Sequence, residues 1–222
     1  MPARPPRRRL PAPDGPLAER LVAAADDILE QDGLAALSMR EVARRAGVTH
    51  GAPLRHYRSF AALLSEVAAA GFRELAHAVD EGAAAVPSGS PSTARLAAAA
   101  RAYVACAVKR PGRFGVMFRP ELLDVEHPAF VRDATHAFEQ LVRLVRAAQD
   151  AGWRPDTDTR RLAGSLWAGV HGLATLWIDA SYAAVVRVSS LDDALEDQLR
   201  FLLGADAAPG RAPTTANHER EE

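Results

Sequence analysis

Apolar positions recur at three- and four-residue spacing along almost the whole 222-residue chain, and this period predicts an all-α protein. From Pro16 to Gln31, Leu17, Leu21, Ala24, Ala25, Ile28 and Leu29 fall on one face, and Asp32-Gly33 closes that helix. Two short helical patterns then flank Ala46-Gly47-Val48. Ser38 can cap the first, Glu41 stands where it could complete a capping box, and Thr49 starts the second. Ser59 caps a long helix over about 60–81 that carries Leu63, Leu64, Val67 and Phe72. After the Pro- and Ser-rich break at 86–92, an Ala-rich helix runs to Lys109, where Pro111-Gly112 stops it. Short turns are expected over 114–118 and 121–124. Helices follow over about 128–151 and from Asp156 or Thr157 to Ser181, and a last one over 191–203 repeats Leu191, Leu195, Leu199 and Leu202. No segment alternates as a strand would, and no internal repeat is visible.

Both ends differ from this pattern. Residues 1–15 hold five prolines and Arg4, Arg7, Arg8 and Arg9, and residues 204–222 are rich in Ala, Pro, Thr and Glu, so both are expected to be disordered. Between them the expected division is a small three-helix unit over 16–60 and a larger helical domain over 61–203. A hydrophobic content of 48% suffices for a sizeable core. The net charge of -1 argues against indiscriminate coating of nucleic acid, yet the distribution is uneven: 10 Lys/Arg against 7 Asp/Glu up to Ser59, and 17 against 21 beyond it. A single cysteine, Cys106, excludes an internal disulfide and offers no metal cluster, which fits a reducing cytoplasm. No apolar run reaches the roughly 18 residues of a membrane helix, and the Arg- and Pro-rich start lacks the apolar stretch of a signal peptide.

The paired short helices, with glycine at the turn and caps at both starts, have the layout of a helix-turn-helix. Arg40, Arg44, Arg45, Arg55 and Arg58 face only Glu41 between Ser38 and Phe60, so this region should be drawn to phosphate. The larger half shows no His-Glu-x-x-His, phosphate-binding glycine set or nucleophile elbow, which points to binding rather than catalysis and to no metal or cofactor.

The run Ser-Met-Arg-Glu-Val-Ala-Arg-Arg-Ala-Gly-Val-Thr at 38–49, a recognition helix ending in Arg-His-Tyr at 55–57, and a long helix beginning near Leu63-Leu64 resemble the tetracycline-repressor (TetR) family of transcriptional regulators over about 17–70. The resemblance implies an N-terminal three-helix DNA-binding domain joined to a larger helical domain that binds a small molecule and dimerises. By the same resemblance Arg40 reaches a base edge. Thr49, His50, Gly51 and Ala52 form the start of the recognition helix, and Arg55 and His56 lie near the groove, with Arg44, Arg45, Tyr57 and Arg58 completing the DNA-binding set. Arg55 suits either bidentate readout of guanine or a phosphate contact. Three positions depart from the family pattern. Leu54 stands where a phosphate-binding Tyr is usual, Phe60 where Lys is usual, and Pro53 interrupts the recognition helix, which it can do only if that helix begins near Gly51 or Ala52.

Trp167, His171 and Gly172 further resemble a Trp-His-Gly subgroup of the family. With Phe72, Tyr103, Phe114, Met117 and Phe118 they supply the aromatic walls and few polar groups expected of a site for a mostly apolar effector. Gly164, Gly169 and Gly172 would let a neighbouring helix approach closely. Leu191, Leu195, Leu199 and Leu202 form the expected homodimer stripe. The resulting expectation is a homodimeric repressor on a pseudo-palindromic double-stranded operator, released by a small molecule. An activator or effector-independent regulator, and a helical protein-interaction scaffold, remain open on the residues alone.

Overall fold

A computed structural model describes residues 17–204; the expected arm over 1–15, and the expected tail apart from Gly204, lie outside the described residues. Among the described residues the ordered elements are all helical. They are α1 (Leu17–Gln31), α2 (Met39–Arg45), α3 (Phe60–Ala84), α4 (Ala94–Lys109), α5 (Pro111–Met117), α6 (Pro128–Asp150), α7 (Thr159–Ile178), α8 (Ser181–Val186) and α9 (Leu191–Leu203), with short 3-10 turns between some of them.

Local chemistry accounts for the boundaries. Ser38, Ser59, Asp158 and Ser190 each accept a backbone N–H of the following helix through their side chains. Glu41 does not complete the expected capping box, because its carboxylate is held by Arg44 at 2.7 and 2.5 Å. At the other end of α2, Val48 N–H donates to Ala43 O and Gly47 N–H to Arg44 O, with Gly47 at φ +70°. This is a Schellman closure that a side chain at Gly47 would strain.

Four expectations need correction. The recognition helix from Thr49 is not a regular α-helix: it is a turn at 50–51 followed by a single 3-10 turn, Pro53–Arg55. Pro53 has no N–H to give to Thr49 O, so Ala52 N–H makes the shorter-span bond to Thr49 O instead. Residues 111–117 form a helix rather than loose turns. Pro111 both ends α4 and occupies the first position of α5, where its missing N–H costs nothing. The helix expected to reach Ser181 ends at Ile178, because Ala180 is left-handed (φ 59°) and redirects the chain into α8, which the sequence reading did not separate. α9 spans the expected residues, but Leu195 and Leu199 are buried within the subunit and so are core residues rather than a free interface stripe.

Helix α3 serves both halves. Its Leu63, Leu64 and Val67 pack with Leu21, Ile28 and Val42 from α1 and α2, and the same cluster continues along α3 through Phe72, Leu75 and Val79 to Met117 of α5. A second cluster joins α4, α6, α7 and α9 through Leu96, Val104, Val145, Leu162, Leu166 and Leu199. The short α5 is pressed between α1 and α3. A Cβ on Gly112 would stand 2.4 Å from Leu29 O, and one on Gly71 would stand 2.5 Å from Met117 Sδ.

Candidate nucleic-acid interface and ligand cavity

The candidate nucleic-acid face is built by α2 and the segment that follows it. Arg40, Arg44, Thr49, His50, Gly51, Arg55, His56 and Arg58 are exposed, and Ala52 is half-buried. Three of the predicted contacts have internal duties. Arg45 is largely covered and braces α1, meeting Asp27 at 3.0 Å and Asp32 at 2.5 Å. Tyr57 is buried; its hydroxyl donates to Ala18 O at 3.3 Å, and burial pushes its pKa up to about 12, with a smaller contribution from the charge of Glu66. Arg58 reaches across to Asp124 at 2.6 Å, and this guanidinium holds the Asp124 carboxyl below its usual range. Of the departures from the family pattern, Leu54 is exposed, Pro53 is fully buried, and Phe60 packs partly against the core of the reading unit.

Two supports of this face went unnoticed in the sequence. Arg20 of α1 donates to Ala46 O at 2.5 Å and so pins the turn between the two short helical segments. Ser65 of α3 is wholly buried; its Oγ lies 2.9 Å from Asp124 N, from which it accepts, and 2.9 Å from Ala61 O. This holds the Asp124 loop beside the start of α3. No periodicity marks either residue, because each is a polar group serving backbone atoms.

The contact between α1 and α5 is ionic and largely buried. Glu30 accepts from Gly112 N–H (3.3 Å) and Arg113 N–H (2.8 Å), the first amides of α5, which have no partner within the helix. Burial raises the Glu30 pKa, and those amides together with Arg110 only partly oppose it. Asp26 is met by Arg110 at 2.7 Å and by Arg113 at 3.4 Å, and Arg113 also pairs with Glu74 of α3. Burial pushes Glu74 up, but the Arg113 guanidinium beside it prevails and the carboxyl lies below its usual range.

At the far end of α5 lies a cavity of about 390 Å³. Its walls come from α3, α4, the α5 C-terminus, α6, α7 and α9, and they include the predicted Phe72, Tyr103, Met117, Phe118 and Trp167. Phe114 and His171 stand behind this wall, with ring centroids 5.1 and 4.5 Å from Phe118. Tyr103 hydroxyl is hydrogen-bonded to His171 Nδ1 (2.8 Å) and accepts from Trp167 Nε1 (3.3 Å). Burial lowers the His171 pKa, which keeps the ring neutral, and its Nε2 lies 3.5 Å from Thr175 Oγ1. Leu199 and Leu202, expected at a dimer interface, line the cavity instead. Phe130, Phe138 and Gln140 of α6 also line it and were not anticipated. For Gln140 a signal existed, since Asp133, Ala137, Gln140 and Leu144 share one helical face and both polar members are buried. No Asp, Glu, Lys, Arg or His lines the cavity, and no group of three or more metal-ligating side chains occurs among the described residues.

Comparison with known proteins agrees with this arrangement. Residues 21–67 match the family model described as bacterial regulatory proteins, tetR family, and residues 96–202 match that of the tetracyclin repressor-like C-terminal domain. A Rhodococcus sp. RHA1 structure described as a protein with unknown function is 31% identical over 88% of this chain and 97% of that one, with a TM-score of 0.74. BioQ, solved with its natural double-stranded DNA operator, is 25% identical over 85% and 98% of the two chains, with a TM-score of 0.53. The multidrug binding protein EbrR, solved with imidazole, is 22% identical over 90% and 98%, with a TM-score of 0.55. Among curated proteins none matches the chain.

The chain is therefore a helix-turn-helix regulator with a helical C-terminal domain. It belongs to the TetR family, whose members are DNA-binding transcriptional regulators. The matched C-terminal family carries no Trp-His-Gly designation, so the finer resemblance through Trp167, His171 and Gly172 gains no support.

Proposed function

We propose that the protein is a homodimeric repressor whose hold on a pseudo-palindromic operator is released by a small, mostly apolar molecule bound in the cavity. The observation that carries this reading is the position of α5: one end forms cavity wall at Met117, and the other end abuts α1 through Gly112, Arg113 and Glu30. A ligand that displaces Met117 and the adjacent Phe118 displaces a short helix that cannot move without disturbing α1, and hence the reading face. Two recognition segments must meet successive major grooves about 34–36 Å apart, so a small rotation of each unit suffices for release. The ligand acts only to the extent that it prefers the released arrangement.

The supports for DNA contact are the exposed Arg40, Arg44 and Arg55 beside Thr49, His50 and Gly51, and the operator complex of BioQ. For the dimer the support is an uncovered face on α7–α9. Leu176, Val185, Val186 and Phe201 are exposed by 46, 80, 54 and 82%. On α7, Gly164 and Gly172 have open space where a Cβ would stand, whereas Gly169 is already filled by Gln198 and Leu202 of α9. This face replaces the leucine stripe as the proposed interface.

Selection of bound DNA from a random pool tests the reading directly and is expected to return a two-fold symmetric site. Arg40→Ala should relax base preference, while Arg55→Ala should lower affinity by an amount that the salt slope assigns to base or phosphate. Phe201→Ser should lower the sedimentation mass while leaving the circular dichroism unchanged. A selection without any enriched sequence, or a Phe201→Ser protein that stays wholly dimeric, would remove the corresponding part of the proposal.

A further inference from the structure

We propose that the cavity selects an uncharged, largely apolar ligand bearing a hydrogen-bond donor, such as a phenol or an alcohol, and that Gln140 Oε1 is the acceptor that reads it. This rests on the cavity being the effector site, and it adds the chemical class that site admits.

Gln140 lies in the cavity wall and is 3% exposed. Its Nε2 donates to Ala76 O at 2.9 Å. A carbonyl oxygen can only accept, so the amide orientation is fixed and Oε1 points elsewhere. That oxygen has no hydrogen-bond partner among the described residues. A ligand donor placed there gains a hydrogen bond that none of the described residues supplies to this oxygen.

The other polar wall residues offer no competing chemistry. Trp167 N–H is committed to Tyr103, and the Tyr103 hydroxyl is engaged by both Trp167 Nε1 and His171 Nδ1. Gln140 Oε1 is thus the wall side-chain acceptor that no group among the described residues engages. Burial raises the Tyr103 pKa and lowers that of His171, so both stay neutral near pH 7. A carboxylate or ammonium entering the cavity would find no counter-charge to offset its loss of hydration. The volume of about 390 Å³ lies within the range of small-molecule sites.

The test uses four probes on one skeleton: para-phenylphenol, its methyl ether, biphenyl carboxylate and biphenylmethylammonium. Each is titrated calorimetrically into the full-length protein. The phenol should bind roughly tenfold tighter than the ether, and both charged probes should bind more weakly than the ether. In Gln140→Leu and Gln140→Met proteins that keep the native circular dichroism, the phenol should fall to the level of the ether while the ether is little changed. Tyr103→Phe should keep the preference. Equal binding of phenol and ether to the natural protein overturns the proposal, as does tighter binding of either charged probe, or binding of none of the four. Persistence of the preference in a folded Gln140 variant also overturns it. Operator release is measured separately with each probe. Selective binding without release upholds the ligand class and counts against the regulatory reading, whereas release by ether and phenol at equal affinity does the reverse.

Discussion

The recognition segment at 49–57 and the contact between α1 and α5 are close in the chain's architecture and opposite in construction. The first is a succession of single-turn hydrogen bonds around Pro53, with Thr49, His50, Gly51, Leu54, Arg55 and His56 turned to solvent. The second buries Asp26, Glu30, Arg110 and Arg113 in one ionic cluster and brings Gly112 against the backbone of Leu29. An exposed segment leaves its polar groups to solvent or to a partner. A close-packed contact between two helices instead sets its charges against one another and excludes slack.

The difference should be largest in stability when the joint loses a charge. Arg113→Met leaves the buried Asp26 and the partly buried Glu74 short of a partner, and an expected loss of about 3–5 kcal/mol should register in urea unfolding. Arg55→Ala, taken from the exposed segment, should change the same measurement by no more than about 0.5 kcal/mol. Similar losses for the two variants would erase the contrast.

A paired glycine substitution tests the same contrast through sterics. Gly112→Ala sets a methyl group against Leu29 O and should destabilise by about 1–3 kcal/mol, because backbone rather than a flexible side chain must yield. Gly51→Ala meets no atom within 4 Å and should shift stability by less than about 0.5 kcal/mol, so any loss of operator affinity in that variant reports on the DNA contact itself.

The smallest expected effect is one of pH. The His171 pKa is held below its ordinary 6.5 by burial, so the unfolded chain takes up this proton first. The contribution is fully present above about 6.5 and is lost as pH falls through the folded value. The difference in unfolding free energy between the natural protein and His171→Gln should therefore be flat above that pH and narrow below it. A difference that does not vary with pH would place His171 in a more solvated setting than its place behind the cavity wall provides.

Periodic burial was legible in the sequence, and it located α1, α3, α6 and α9 to within a few residues. The elements it misjudged are those decided by one residue's backbone. Pro53 shortened the recognition helix, Pro111 opened α5, and Ala180 turned the chain between α7 and α8. The aromatic wall was legible because Phe72, Tyr103 and Trp167 are rare, large residues on separate helices, with Phe118 just past the end of α5. The packing partners of the α9 leucines were not legible, because an apolar stripe states that a face is buried without stating against what. Leu199 meets the subunit's own core, while Phe201, two residues further on, is the residue left uncovered.

The pair between Arg58 and Asp124 bears on how affinity varies with the concentration of salt. A cation that meets DNA straight from solvent displaces roughly one condensed counterion, and each such contact steepens the dependence by about 0.9 in the logarithmic slope. An Arg58 that turns to a phosphate first gives up Asp124, and the carboxylate left behind gathers a cation from solution. The release at the duplex and the uptake at Asp124 then largely cancel. Counting arginines on the reading face thus overstates the number of ions that binding sets free.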